Sequence, residues 1–310
     1  MTQINAEMVA YGQWMERLNA IQQPVMDVLV ALQPAWQAAM KQQGAGAGDS
    51  FRPLVDQAVD RIEAADAALA VLDQPVFTQL ELDQDVTPQA MVDDTRELNR
   101  QIRTLMLNFL PLIDAMTRRD EQAGTSAARQ MIDSMRLLLS AREKMARAAL
   151  ASTPRDEGAW HITHAELLYA ETMSLIGTRL DLDAGDKPDL AFAEALTAMA
   201  VRIEQAMMEG ESEADATLEQ WNVTAAELEN SDQPNGASAV QRAISVITVG
   251  REIFAIVARL APILRAGAEH CRTRPVTITH TGAMMAQIRP IGIAINEVGI
   301  RVGRSLAGTQ

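Results

Sequence analysis

The chain has 310 residues, a formal net charge of -14 and one cysteine, Cys271. That length can bury a core without disulfide or metal staples, and a lone thiol excludes an intrachain disulfide or a cysteine-rich zinc or iron–sulfur site. The acidic balance argues against general nucleic-acid binding, which needs a basic footprint, and a hydrophobic content of 48% is too high for a disordered chain.

Aromatic residues make up 4%, and helix formers dominate the remainder. The opening MTQINAEMVAYGQWMERL has no basic flank before an apolar run, so no signal peptide is expected. The most apolar region, 239–266, is interrupted by Arg242, Arg251, Glu252, Arg259 and Arg265, which leaves no run of about eighteen apolar residues to span a bilayer. A cytoplasmic protein without an integral membrane segment is the expectation.

Apolar residues recur at helical spacing through most of the chain. The first predicted helix, roughly 5–42, contains Pro24 and Pro34 and ends before the flexible GAGAG at 44–48. The second, roughly 50–74, carries the stripe Leu54, Ala58, Ile62, Ala65, Leu69 and Leu72. The third, roughly 88–118, steps through Leu98, Ile102, Leu105, Phe109, Leu112 and Met116, with Thr87-Pro88 at its start. A fourth follows at roughly 125–152. A fifth at roughly 163–180 opens on Thr163 and Glu166, which fit a capping box. Phe192, Leu196, Met199, Ile203 and Ala206 mark a sixth at roughly 188–209, and Leu218, Trp221, Ala225 and Leu228 a short acidic one near 213–230. Two more are expected at roughly 237–270 and 281–307, with Pro111 and Pro262 as points of kinking or termination. The segment 276–304 has an alternative reading as a β-hairpin, because Ile291, Ile293 and Ile295 alternate. The 3,4 stepping of Ile288, Ile291, Ile295 and Val298 favours helix. The fold class is therefore all-α, a bundle of about eight main helices.

Short echoes point to an internal repeat. LELDQDVTP at 80–88 resembles LDLDAGDKP at 180–188, DEQAGTSAA at 120–128 resembles DQPNGASAV at 232–240, Ile162-Thr163-His164 recurs as Ile278-Thr279-His280, and LQPAWQAA at 32–39 resembles LAPILRAG at 260–267. Shared capping needs produce such echoes as well. Tandem three-helix units would divide the chain into 1–119, 120–231 with the extra acidic helix, and a partial unit 232–310 open to self-association.

Charge is unevenly spread. Residues 239–310 hold nine Arg and three acidic residues, and 1–238 hold 18 basic and 38 acidic, so the two parts carry +6 and -20. Between 188 and 235 eleven acidic residues face Arg202 alone. Intramolecular attraction is the first reading. A salt-sensitive contact between copies or with a partner protein, through Arg251, Arg259, Arg265, Arg301 and Arg304, is the second. A peripheral contact with anionic lipid through 239–310 is the third.

Catalytic signatures are missing from the sequence: there is no Gly-x-Ser-x-Gly, no phosphate-cradling loop and no dinucleotide fingerprint. Glu157, His161, His164 and Glu166 are the candidate ligands of a divalent metal. With Thr163 as a helix cap, however, His161 would precede the helix and the face-sharing spacing would fail. Cys271, beside His270, Arg272 and Arg274, reads first as inert packing at a helix end and second as a candidate for a lowered thiol pKa. The paired Met207-Met208 and Met284-Met285 read as core filling first and adaptable surface second. These features lead to the expectation of a non-enzymatic helical scaffold or adaptor, without cofactor, that acts through protein contacts. A metal- or small-ligand-binding bundle and a peripheral membrane protein are the alternatives.

Overall fold

Thr87 and Pro88 start a helix as expected. The Thr87 hydroxyl accepts the Ala90 N–H at 3.3 Å and Pro88 fills the first helical position, where its missing donor costs nothing. The computed structural model describes residues 7, 10, 11, 13–28, 47–78, 87–153, 158–183, 185, 187–230 and 234–307. The fold is all-α. Among the described residues there is no strand, only a single isolated bridge between Pro188 and Pro275.

The chain divides into two compact units, Met1–Ala148 and Ala149–Gln310. The first contains α1 (13–28), α2 (Ala47–Val71), α3 (Pro88–Arg118) and most of α4 (Glu121–Ser152). Polar pairs fix an up-and-down order. Trp14 Nε1 donates to the Asp73 carbonyl at 2.7 Å while Val25 and Val28 share a core with Phe51 and Val55, so α1 and α2 run antiparallel. Asn99 reaches Asp66 at 2.8 Å and Arg52 reaches Asp114 at 3.1 Å, so α2 and α3 do too. Asn108 donates to Ser134 at 2.8 Å and Lys144 meets Asp94 at 2.9 Å, which places α4 antiparallel to α3. The turn between α3 and α4 is tight. Arg119 adopts φ 56°, Asp120 N–H returns to the Ala115 carbonyl at 3.0 Å, and the Asp120 carboxylate then caps α4 through Ala123 N–H.

The second unit contains α5 (Gly158–Gly177), α6 (Leu190–Asn230), α7 (Pro234–Ala258), α8 (Leu260–Thr273) and α9 (Ile278–Ala307). Arg265 pairs with Glu204 at 2.5 Å and Arg251 with Asp215 at 2.7 Å, so α7 and α8 together run antiparallel along α6. One core unites the unit, built on Leu168, Leu196, Ile203, Ile253, Leu260, Leu264 and Ile288. The α5–α9 contact is close because Gly292 leaves room for the Tyr169 ring.

Several expectations are corrected. The sixth helix and the short acidic one are a single 41-residue helix. Gly210 does not interrupt it but admits the Phe254 ring, which a Cβ would meet at 2.5 Å. The expected helix over 237–270 breaks at Arg259, where Pro262 has no N–H to offer the Ala258 carbonyl. Pro53, Pro111 and Pro290 instead lie inside continuous helices. Helix α5 begins at Gly158, so Thr163 is interior and not a cap. Its hydroxyl donates to the Trp160 carbonyl at 3.2 Å. The cap of α6 is Asp189, one residue after the proline expected in that turn; it accepts the Phe192 N–H at 2.9 Å. The segment 276–304 is not a hairpin: Ile291 and Ile295 are buried while Ile293 is 44% exposed, and a strand would turn all three the same way. The two compact units meet at 148/149, with α3 bound to α4 inside the first and α6 to α7 inside the second. Helices α7 to α9 share one core with α5 and α6. The GAGAG linker and Pro34 lie outside the described residues, apart from the first turn of α2.

Candidate functional site

Because α5 starts early, His161 and His164 sit three apart on it, the spacing the sequence had seemed to deny them. Their neighbours are aromatic. The Trp160 ring lies 5.3 Å from His161 and 4.6 Å from His164, and His161 meets Phe254 of α7 edge-on at 5.1 Å. His161 Nδ1 also faces Gly210 of α6. Glu166 turns elsewhere, toward Gly299 of α9, and Glu157 lies outside the described residues. Among the described residues no three His, Cys, Asp or Glu side chains come together as a ligand set.

Cys271 is the opposite of a reactive thiol. It is fully buried, and burial together with the nearby Asp189 charge pushes its pKa up to about 11 despite Arg179. The expectation of a lowered pKa fails because the side chain turns into the core, away from Arg272, which pairs with Glu269 and Thr197. The adjacent His270 reaches across the α8–α9 corner and stacks on His280, centroids 3.6 Å apart and planes at 8°. No sequence spacing signals this pair, since a non-helical connection separates the two.

The arginines expected at an interface are largely engaged within their own unit. Arg251 and Arg265 hold acidic residues of α6, and Arg301 holds Glu252 at 2.6 Å. The guanidinium hydrogen bonds keep Glu204 and Glu252 below the usual carboxylate pKa. Arg259 lies exposed at the α7–α8 break, and the Arg304 side chain is not among those described. Among the described residues no helix is long and apolar enough to cross a membrane.

One long face of α6 points outward. Its buried side carries Phe192, Leu196, Ala200, Ile203, Met207 and Ala214. Opposite these, Leu190, Val201, Met208 and Val223 are all exposed, Met208 at 72%. At about 100° per residue these four fall within about 60° of one another. Glu194, Asp215 and Glu219 lie on the same face and are exposed, and α6 as a whole holds nine acidic residues against Arg202. The sequence showed the acidity of this stretch. The outward methionine of the Met207-Met208 pair became visible only once Met207 was seated in the core. No family model, curated protein or solved structure matches the chain.

Proposed function

We propose that the chain is a non-enzymatic helical scaffold, and that the outer face of α6 receives a basic amphipathic helix from a partner protein. The observation that carries the reading is the single row Leu190, Val201, Met208 and Val223 along an acidic helix of 41 residues, about 60 Å long. Apolar side chains at helical spacing supply anchors for a helix laid alongside, and the surrounding carboxylates select a basic partner. Arg251 and Arg265 already satisfy Asp215 and Glu204 from within, so the scaffold's own basic end supports this reading better than head-to-tail association between copies.

A basic Lys/Leu amphipathic peptide and its Glu/Leu counterpart, titrated against the full chain by fluorescence anisotropy, test the reading. The basic peptide should bind, weaken with salt, and weaken further against Val201→Glu/Met208→Glu. General charge attraction would instead strengthen with the two added carboxylates, and that result, or equal binding of both peptides, rejects the proposal.

A further inference from the structure

His270 occupies the last turn of α8 and His280 the first turn of α9, where its N–H donates to the Thr277 hydroxyl at 3.2 Å. Only residues 274–277 join the two helices. The rings lie face to face at 3.6 Å, and His280 Nε2 is buried without a hydrogen-bond partner. Parallel imidazoles aim their in-plane lone pairs side by side and not at a common point, so the pair is not a chelate. The corner also holds the start of α6. Pro188 bridges to Pro275, and Asp189, the cap of α6, donates its N–H to the Cys271 carbonyl at 3.0 Å.

We propose that the stacked His270–His280 pair is an acid-operated latch: uptake of a second proton by the pair separates the rings, frees the first turn of α9 and loosens the corner that anchors the start of α6. One proton is tolerated by the stack. His270 is half-exposed and sits at the C-terminal end of α8, where the helix dipole favours a cation. A second charge would fall on His280 at the N-terminal end of α9, in direct contact with the first.

The surrounding charges do not relieve that repulsion. On α8, Glu269 is paired with Arg272, and Arg274 is a further cation. At the start of α6, Asp189 is paired at 2.9 Å with Arg179, just past the end of α5, and Lys187 precedes it. Helix α9 offers no charged side chain before Arg289. Burial first and the His270 charge second hold the His280 pKa below its ordinary value. The fold thus favours neutral His280. Its contribution to stability is complete above the ordinary histidine pKa and is lost as pH falls below it toward the depressed folded value.

Hydrogen–deuterium exchange of the full chain at about pH 7.5 and about pH 5, corrected for intrinsic rates, tests the latch, with His280→Phe as a ring that stacks but does not titrate. Peptides covering 268–284 should lose protection at the lower pH by at least about tenfold in the wild type, and should keep it in His280→Phe. Equal protection at both pH values in the wild type overturns the proposal, as does an acid response that persists in the variant. If His280→Phe does not fold, histidine NMR of the wild type decides: two proton uptakes separated by more than about one pH unit support the latch, and two independent uptakes near the ordinary value overturn it.

Discussion

Two glycines of α9 show how differently the same residue type is used. A Cβ on Gly292 would overlap the ring and hydroxyl of Tyr169, whereas a Cβ on Gly282 would meet nothing within 4 Å. The Tyr169 ring is itself buried, only 4% exposed. Gly292→Ala is therefore expected to lower stability by about 1–3 kcal/mol through overpacking. Gly282→Ala, an exposed helical position, is expected to raise it by up to about 1 kcal/mol through helix propensity. Urea denaturation of the two variants checks both signs, and equal effects would show that the α5–α9 spacing does not depend on Gly292.

Between elements, the polar contact most worth testing is Glu171 of α5 with Arg202 of α6. The carboxylate is 6% exposed and the guanidinium 48%, with 2.7 Å between them. Arg202→Met leaves the carboxylate in the core without its cation, and the expected loss is about 1.5–3 kcal/mol, moderated by the exposure of the arginine. Glu171→Gln/Arg202→Met is expected to recover part of that loss, which a double-mutant cycle measures directly. At this same scale the sequence was most readable. The stripes of α2, α3 and α6 point inward as their spacing required, with Ile62, Ile102 and Leu196 buried, because a helix must hide an apolar stripe whatever its neighbours are. Ends of helices were less readable. Thr163 has the chemistry of a cap but lies inside α5, and Gly210 has the chemistry of a break but lies inside α6. In both cases packing partners distant in sequence, not local propensity, decide the outcome. Site geometry was least readable. The stacking of His270 on His280 depends on which helices lie alongside, and no spacing encodes that.

For the molecule as a whole, two compact units that share no cluster of buried residues among the described ones imply two cooperative events. The core of Met1–Ala148 rests on Phe51, Val55, Ile62 and Ile102, and that of Ala149–Gln310 on a larger cluster spread over α5 to α9. Urea unfolding is expected to be biphasic, with a slope below that of a single unit of this size. Coincident single transitions by circular dichroism and by exchange would show the chain to be one cooperative body. The second unit also divides its tolerance to length change unevenly. Its spine is uninterrupted from Leu190 to Asn230, while the opposing rod is already cut at Arg259. One residue added within the spine would swing every later side chain by about 100° and turn Ile203 or Ala214 from the interior to the water. Insertions in this half of the chain are therefore most disruptive within Leu190–Asn230, where every later side chain must keep its phase.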